Sequence, residues 1–421
     1  MKLAVIGGGA AGMMAAILAS RAGAEVHIFE KNEKLGKKLY ITGKGRCNLT
    51  NACDMEELLS SVKSNPKFLY SAFYGFTNQD AMDFFEQEGL SLKTERGNRV
   101  FPASDRSADV LDTLRRALNR QRVQIHLHTR VLGFEKQEEG FILTLERTEG
   151  AEGRRESFMA DRVMVATGGI SYPSTGSTGD GYRFAQAHGL KLVAPCPSLV
   201  PMVIREEWVK ELQGLSLKNV SIRIVDGKKQ LFQEFGEMLF THFGVSGPLI
   251  LTASAVCGRK AREKELRLLL DLKPALTTEQ LDARLLREFE EGKHRQFKNV
   301  IPSLFPAKLV PVMLRLSGIA PEKKGSEITR EERQRLIHCM KELELTIVGL
   351  RGYNEAIITK GGVSVREIDP GTMESKQVPG LYFIGEVLDL DAVTGGFNLQ
   401  IAWSTAAAAA RSIGEALALP G

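Results

Sequence analysis

The stretch LAVIGGGAAG, residues 3–12, decides the fold class of this chain of 421 residues. Four apolar residues form a short buried strand, and the six residues that follow satisfy the pattern G-x-G-x-x-G. Residues 13–21 have helix-forming composition, and the segment AEVHIFE (residues 24–30) is a second strand that ends in the acid Glu30. Strand, glycines, helix, strand and terminal acid in this order predict a Rossmann-like β–α–β unit.

Each part of this unit has a mechanical role in binding a dinucleotide. The first glycine permits the tight turn, the second lets the backbone approach a pyrophosphate, and the third lets the helix pack closely on the strand. The helix N-terminus offers free N–H groups and a positive dipole to the phosphates. Glu30 can accept hydrogen bonds from the ribose hydroxyls of the adenosine. The residues assigned to the pyrophosphate site are Gly7, Gly9, Ala10, Ala11 and Gly12.

The other end of the chain favours FAD over NAD. Residues 381–384 form a buried strand, which ends in Gly385 and Glu386, and a long helix begins at about Asn398 after a glycine pair. This is the layout of a second FAD motif, in which the acid contacts the ribityl chain or the pyrophosphate. Aspartate is usual there, so Glu386 is a departure. The helix N-terminus would face the pyrimidine edge of the flavin and stabilise negative charge there. The residues assigned to this helix N-terminus are Gly396, Phe397, Asn398 and Leu399.

A third segment lies between these two ends. Residues 162–169, RVMVATGG, form an apolar strand that ends in Thr167, Gly168 and Gly169. In flavoproteins of the glutathione-reductase type, a strand with this ending returns to the dinucleotide domain and passes close to the FAD. We therefore include these three residues in the predicted cofactor site.

Composition sets broad limits. The chain is 43% hydrophobic and 25% charged with a formal net charge of +5, which indicates a globular protein of two or three domains. The charge excess is most simply a solvated surface; an anionic cofactor or substrate is the next explanation, and nucleic acid is a distant third. Five cysteines without a C-x-x-C motif argue against a disulfide framework or zinc site and favour the cytoplasm. No apolar stretch predicts a membrane span.

The sequence resembles a family of bacterial FAD-binding proteins called NAD(FAD)-utilising dehydrogenases, BaiN-like flavoproteins or the aminoacetone oxidase family. The resemblance covers essentially the whole chain. It rests on the stretches GGGAAG, TGKGRCNLTN, ATGGISYPSTGSTGDGY, THFGVSGP, TKGGVSVREIDPGTMESK and GLYFIGEVLDLDAVTGGFNLQIAW. It implies a glutathione-reductase type FAD domain with an inserted domain. One branch of the family is assigned reduction of conjugated double bonds in 3-oxo bile acids.

The resemblance also implies further cofactor contacts. The segment after the second strand crosses the flavin, so that Lys31 and Lys37 would approach the adenosine and phosphate end, and the backbone at Val131 would read the adenine. The residues implied to line the ribityl chain and the isoalloxazine are Thr42, Gly43, Gly45, Arg46, Cys47 and Asn48. Cys47 and Cys53 are spaced C-x5-C rather than the C-x4-C of a redox helix. We expect one buried and one incidental cysteine rather than a redox dithiol.

The pattern changes after about residue 188. We predict an FAD-binding domain over residues 1–189 and 351–421, and an inserted domain over 190–350 with a β part to about 273 and a helical part from about 274 to 345. Residues 220–225 and 230–235 alternate around Asp226-Gly227, which predicts a hairpin. Residues 122–127 are expected to join 130–133 and 141–146 in a small sheet. Ser107 is a candidate cap for a helix over 108–119.

The predicted activity is that of an FAD-dependent oxidoreductase. We expect a reductase that passes hydride to an activated C=C bond of a small organic substrate. No second fingerprint follows a strand, so NAD(P)H, the expected donor, would enter the substrate site transiently. The alternatives are an oxidase of a small amine and a non-catalytic FAD-binding protein. An RNA-modifying flavoenzyme is disfavoured by the weak excess of positive charge. Candidate proton donors are Tyr172, His242 and Tyr353. Neither a metal, a nucleic acid nor a membrane is expected as a partner, and the oligomeric state is left open.

Overall fold

The structure is a computed structural model that describes residues 1–148 and 154–418. The strands are β1 (Lys2–Ile6), β2 (Glu25–Phe29), β3 (Thr50–Asn51), β4 (Leu92–Glu95), β5 (Arg99–Pro102), β6 (Gln124–His126), β7 (Thr129–Lys136), β8 (Phe141–Arg147), β9 (Arg154–Ala160), β10 (Arg162–Val165), β11 (Leu192–Ser198), β12 (Met202–Ile204), β13 (Ser216–Asp226), β14 (Lys229–Thr241), β15 (Gly244–Ser246), β16 (Leu266–Asp271), β17 (Leu343–Leu350), β18 (Ile358–Val363) and β19 (Leu381–Phe383).

The long final helix that the sequence predicts is present, and the other helices are shorter. They are α1 (Ala10–Arg21), α2 (Lys37–Ile41), α3 (Met55–Ser61), α4 (Tyr70–Gly75), α5 (Asn78–Gln87), α6 (Ser107–Arg120), α7 (Asp180–Ala187), α8 (Pro248–Glu263), α9 (Thr278–Glu291), α10 (Phe297–Val300), α11 (Val310–Ser317), α12 (Arg330–Lys341) and α13 (Phe397–Ala418). Capping boxes that start at Thr77, Thr277 and Thr329 satisfy backbone N–H groups at the beginning of α5, α9 and α12.

The chain divides into two compact units. The FAD-type unit comprises Met1–Ser198 and Tyr353–Gly421, and the inserted unit comprises Leu199–Gly352. The boundary at 198/199 lies nine residues beyond the expected one at 189/190, because β11 pairs with β18 in the FAD-type unit.

The FAD-type unit is built on a five-stranded parallel sheet in the order β19-β10-β1-β2-β6. Its central strands are apolar and buried, as expected for a parallel sheet covered on both faces. A three-stranded antiparallel sheet, β7-β8-β9, packs against it, since Phe158 of β9 contacts the rings of His27 and Phe29. The predicted Rossmann-like α/β class is confirmed by this order and register.

Two local predictions in this unit are wrong. The strand over 124–126 pairs in parallel with β2 and extends the main sheet, so it is absent from the small sheet in which we expected it. The local alternation of residues in a strand does not reveal a parallel partner strand that is distant in the sequence. Ser107 is the first residue of α6 rather than its cap, and its hydroxyl donates to the Tyr40 carbonyl at 2.5 Å.

The inserted unit contains a closed barrel in the order β12-β15-β14-β13-β16-β17. The predicted hairpin at Asp226-Gly227 is confirmed and joins the long strands β13 and β14. Four helices, α9 to α12, lie in sequence between β16 and β17 and share one apolar core with the barrel. The β part therefore includes β17 (Leu343–Leu350), which returns to the barrel after the helical part.

Candidate functional site

The glycine-rich turn after β1 contains Gly7, Gly9 and Gly12. Of these three glycines, only Gly9 faces open space. Gly7 has φ +106°, and a Cβ there would lie 2.6 Å from the Ala166 carbonyl oxygen. A Cβ on Gly12 would lie 2.0 Å from the Gly7 carbonyl oxygen, so α1 packs directly on the turn. A Cβ on Gly9 would meet nothing within 4 Å. This space at the N-terminus of α1 suits a pyrophosphate.

Glu30 ties the turn to the end of β2. It is only 8% exposed, and its Oε2 accepts a hydrogen bond from the Gly8 N–H at 2.9 Å. Its Oε1 accepts from the backbone N–H of Asn32 at 2.9 Å and from the Asn32 side chain at 2.7 Å. The carboxylate therefore shapes the glycine turn in addition to the ribose contact expected of it.

The N-terminal and C-terminal motifs meet in the structure. A Cβ on Gly385 would lie 2.8 Å from the Ala11 Cβ of α1, and Gly385 donates its N–H to the Thr405 hydroxyl of α13 at 3.0 Å. Ala10 and Ala11 at the start of α1 thus adjoin the turn after β19. The two motifs that predicted FAD from opposite ends of the sequence line the same part of the unit.

The start of α13 is fixed by close backbone approach. Gly396 has φ +101°, and a Cβ there would lie 2.3 Å from the Thr50 carbonyl oxygen. Asn398 accepts from the Ala392 N–H and donates to the Ala392 carbonyl, both at 2.9 Å. Phe397 is buried and Leu399 is partly buried. Because the loop before α13 is held in this way, the positive end of the helix dipole has a defined position.

The segment Thr42–Gly45 is a short turn with unusual backbone geometry. Gly43, Lys44, Gly45 and Cys47 all have φ between +58° and +84°. A Cβ on Gly45 would meet nothing within 4 Å. Asn48 carries a buried Oδ1 with no hydrogen-bond partner among the described residues. An open backbone face beside an unsatisfied amide oxygen fits a cofactor that has hydrogen-bond donors.

Three of the predicted cationic contacts are engaged by protein carboxylates. Lys31 donates to Asp180 at 2.5 Å. Burial, the largest single cause, acts to raise the pKa of Asp180. The hydrogen bond and charge of Lys31, together with Thr178 and Arg130, outweigh burial and lower this pKa. Lys37 lies 3.3 Å from Glu33.

Arg46 is held by Glu95 and Asp105 and lies over the ring of Phe101, 4.2 Å from its centroid. The hydrogen bond to Glu95, followed by that to Asp105, raises the pKa of Arg46. Its guanidinium is thereby fixed in orientation at the rim of the Thr42–Gly45 turn.

A partly buried network of hydrogen bonds surrounds Glu386, the residue at which the chain departs from the usual FAD motif. Its carboxylate accepts from Lys38 Nζ at 2.7 and 2.9 Å, from the Ser171 hydroxyl at 2.9 Å and from the Thr359 N–H at 2.8 Å. A Cβ on Gly169 would lie 2.4 Å from the Thr359 hydroxyl oxygen. The longer glutamate therefore reaches across from the turn after β19 to α2 and β18.

The sequence missed these partners of Glu386, because Lys38, Ser171 and Thr359 lie on three distant segments. Ser171 and Thr359 fall within stretches that carry the family resemblance, but neither was assigned a role there. The sequence also missed Tyr182, whose buried hydroxyl has no hydrogen-bond partner among the described residues. Burial raises the pKa of Tyr182, so the phenol is neutral. The Thr167 hydroxyl, beside Gly168, is buried and unpartnered as well. Val131 of β7 is buried.

The two cysteines after β2 are both free and buried. Burial raises the pKa of Cys47 to about 12 and that of Cys53 to about 11. Both are therefore thiols at neutral pH, and a thiol is a poor nucleophile. We expected one buried and one incidental cysteine, whereas both are buried; neither environment favours a redox dithiol.

The candidate proton donors fall into two groups. Tyr172 donates its backbone N–H to the Tyr353 carbonyl at 2.9 Å, so both tyrosines lie in one place in the FAD-type unit. Burial is the main cause that raises the pKa of Tyr172 and keeps the phenol protonated. His242 belongs to the inserted unit and is exposed, with its ring at the edge of Phe243.

Comparison with known proteins gives one family. The model of the HI0933-like protein Rossmann domain matches residues 1–412. The chain belongs to the HI0933-like family. No helix in the described part of the HI0933-like chain is both long and apolar enough to cross a membrane.

Two curated relatives match the HI0933-like chain over nearly its full length. A 3-dehydro-bile acid delta(4,6)-reductase of Clostridium scindens is 33% identical over 98% of this chain and 99% of its own. A ribosomal RNA dihydrouridine synthase of Escherichia coli is 32% identical over 97% of each chain. The predicted enzyme class, an FAD-dependent oxidoreductase, is confirmed by this membership.

Among solved structures, the Mycobacterium smegmatis Sdh1 complex in the apo form has a TM-score of 0.51 at 18% identity, over 100% of this chain and 69% of that one. At this identity the similarity concerns the fold alone. It agrees with the glutathione-reductase type of FAD domain that the two terminal motifs predict.

Proposed function

We propose that the protein reduces a C=C bond conjugated with a carbonyl group, and that this bond belongs to a uracil base in RNA. The observation that carries the reaction class is the meeting of the two FAD motifs around open space at Gly9. The names of both full-length relatives describe saturation of a ring, in a 3-oxo bile acid and in uridine respectively. A conjugated carbonyl activates the bond in both rings.

The distribution of charge supports an RNA substrate over a small apolar one. The inserted unit carries 26 Lys and Arg against 20 Asp and Glu, whereas the rest of the chain carries 30 against 31. The whole positive excess therefore belongs to the inserted unit. A basic unit is one feature of proteins that contact nucleic acid. This proposal replaces the expectation, drawn from the small overall charge, that no nucleic acid is bound.

Different residues of the chain would bind the cofactor and donate the proton in such a reaction. FAD, when bound, supplies a hydride to the electron-poor carbon of the double bond. The residues that would hold it are those around Gly9, the turn at Thr42–Gly45, Asn48 and the start of α13. The chain must also deliver a proton to the other carbon. We assign this proton to Tyr172 or Tyr353, whose backbones are joined by a hydrogen bond from the Tyr172 N–H to the Tyr353 carbonyl, because a phenol can donate a proton to the substrate.

NAD(P)H is the proposed source of electrons. The sequence has one dinucleotide fingerprint, and it forms the turn between β1 and α1. A nicotinamide cofactor would therefore share the substrate site and leave before the substrate enters. Alternating occupancy of this kind predicts parallel lines in a double-reciprocal plot when both concentrations are varied.

The test is an anaerobic single-turnover experiment on the FAD-loaded protein. Its flavin is first reduced by NADPH or NADH, and the protein is then mixed with ribosomal RNA transcribed in vitro or with a 3-oxo-4-ene steroid. We expect flavin oxidation with RNA, together with dihydrouridine detected by mass spectrometry of the digested RNA. Oxidation by the steroid alone would assign the activity to small enones. Oxidation by neither substrate would contradict the reductase.

A further inference from the structure

The two carboxylate oxygens of Glu386 differ in the hydrogen bonds that they accept. Oε1 accepts from Lys38 Nζ at 2.9 Å, from the Ser171 hydroxyl at 2.9 Å and from the Thr359 N–H at 2.8 Å. Oε2 accepts from Lys38 Nζ at 2.7 Å and from no other group among the described residues. We call these four residues the Glu386 network.

This difference leaves one oxygen of Glu386 available to a ligand. A carboxylate has about four lone-pair sites, two on each oxygen. Oε1, with three donors, is therefore saturated, whereas Oε2, with one donor, can accept a further hydrogen bond. Because Lys38 contacts both oxygens, it fixes the plane of the carboxylate and compensates its charge at the same time.

Both ends of the ion pair between Lys38 and the glutamate adjoin the predicted pyrophosphate site. Lys38 lies in α2, and Gly36, which precedes α2, donates its N–H to the Gly8 carbonyl of the glycine-rich turn at 2.9 Å. At the other end, Gly385 directly precedes the glutamate, and a Cβ on Gly385 would lie 2.8 Å from the Ala11 Cβ of α1. The ion pair therefore connects the two segments that border the start of α1.

The other lysines of this segment that pair with carboxylates have different partners. Lys31 donates to Asp180 at 2.5 Å, and Lys37 lies 3.3 Å from Glu33. Within residues 31–38, all of which the structure describes, Lys38 is thus the lysine that compensates the acid of the second FAD motif.

The charge of Glu386 matters because FAD would bring a negatively charged pyrophosphate to the glycine-rich turn. A carboxylate without a compensating cation would repel the pyrophosphate at this distance along the same site. The ion pair is partly buried, so solvent and salt screen this repulsion less than they would at the surface. Lys38 removes the repulsion while the carboxylate keeps its ability to accept hydrogen bonds.

We propose that Lys38 is a positioning residue for FAD and that it acts through Glu386 in two ways. It cancels the charge of the carboxylate beside the pyrophosphate site, and it holds Oε2 free to accept a hydrogen bond from a hydroxyl group of the ribityl chain. The FAD motif predicts a contact with the acid but assigns no role to Lys38. The proposal concerns the cofactor, so it does not depend on the substrate proposed above.

The experiment measures the dissociation constant of FAD by dilution of the FAD-loaded protein, with the anisotropy of flavin fluorescence as the signal. Lys38→Met leaves Glu386 without its cation, and we expect the dissociation constant to rise about tenfold or more. Lys38→Arg keeps a cation that can bind both carboxylate oxygens and should stay within about threefold of the wild type. FAD is added back to any variant that is purified without it.

A double variant that carries Lys38→Met and Glu386→Gln distinguishes this role from a merely structural one. It has neither charge, so no carboxylate repels the pyrophosphate, and most of the affinity lost in Lys38→Met should return. If Lys38 only clamped the fold, the loss of further hydrogen bonds at residue 386 would add to the damage. Urea unfolding of the FAD-free proteins separates a loss of stability from a loss of affinity.

ADP separates the two parts of the proposal, because it carries a pyrophosphate but no ribityl chain. Competition with FAD gives the dissociation constant of ADP for each variant. In Lys38→Met we expect binding of ADP to weaken through the uncompensated charge alone. Binding of FAD should weaken further, by about threefold or more, because the orientation of Oε2 toward the ribityl hydroxyl is lost as well.

Lys34→Met is the matched control. Lys34 lies four residues before Lys38, is exposed and lies over the ring of Tyr40, 5.8 Å from its centroid. Its replacement changes the net charge equally within the same segment. Both dissociation constants should remain close to those of the wild type.

Three results would overturn the role of Lys38: unchanged binding of FAD by Lys38→Met, no recovery in the double variant, or an equal loss in Lys34→Met. Equal losses of FAD and ADP in Lys38→Met would overturn the contact between Oε2 and the ribityl chain. The proposed function fails separately, if the wild-type protein binds FAD but its reduced flavin is oxidised by neither RNA nor the steroid.

Discussion

Gly9 and Gly12 are three residues apart in the same motif, yet the structure gives them different tasks. Only Gly9 faces open space, and it is the residue before α1 with an extended backbone that any residue adopts. Gly9→Val should therefore abolish FAD retention because the side chain occupies the pyrophosphate space. It should cost the apoprotein no more than about 1 kcal/mol, the typical effect of a poor N-cap residue. Cofactor content after gel filtration and urea unfolding of the apoprotein measure the two effects.

Gly12→Val is the comparison for that experiment. Because a Cβ at Gly12 would collide with the Gly7 carbonyl oxygen, this variant should lose folding stability as well as FAD. Overpacking of this kind costs about 1–3 kcal/mol or more. Equal stabilities of the two apoproteins would show that the open space at Gly9 has been misassigned.

The thiols of Cys47 and Cys53 give a second prediction. With a pKa of about 12, Cys47 is thiolate in only about one molecule in ten thousand at pH 8. We expect iodoacetamide at pH 8 to modify the partly exposed Cys196 of the folded protein while Cys47 and Cys53 stay unmodified. Peptide mass spectrometry reads each site, and all five cysteines should react in guanidinium chloride. Rapid modification of either buried thiol would reopen the redox-dithiol hypothesis.

At the scale of elements, the alanine run of α13 makes a prediction about packing. Residues 406–410 of α13 are all alanine, and α13 packs against α1. Ala409 is fully buried, whereas Ala407 is partly exposed. Ala409→Leu should lower the free energy of unfolding by about 1–3 kcal/mol through overpacking. Ala407→Leu adds the same volume and should cost much less. Urea denaturation of both variants tests this difference.

Elements with a local signature were predictable, and contacts between distant elements were not. The β–α–β unit, the Asp226-Gly227 hairpin and the start of α13 each depend on residues within one segment. The place of β6 in the main sheet depends on its pairing with the distant strand β2. Two partners of Glu386, Lys38 and Ser171, lie 348 and 215 residues away from it in the sequence. For Arg46 the residue type was informative, but Glu95 and Asp105, which orient it, share no motif with it.

At the scale of the whole molecule, the insertion divides the chain into two units with separate apolar cores. The inserted unit enters at Leu199 and leaves at Gly352. Its two ends lie side by side, since Arg351 donates its N–H to the Pro201 carbonyl at 3.0 Å. Adjacent chain ends and a separate apolar core are the usual properties of a domain that folds independently.

We therefore predict that residues 199–352 fold by themselves without FAD. The fragment should unfold cooperatively in urea, and its circular dichroism should show the barrel strands together with α8 to α12.

A fragment cut at the boundaries that the sequence suggested, 190–350, is the comparison. It carries β11 without its partner β18, and it lacks the bond from Arg351 to Pro201. An unpaired strand promotes aggregation, and loss of the hydrogen bond costs about 1 kcal/mol. We expect this fragment to be less stable and less soluble. Equal stability and solubility of the two fragments would show that the unpaired β11 does not affect the inserted unit. A disordered 199–352 fragment would show that the core of this unit depends on the rest of the chain.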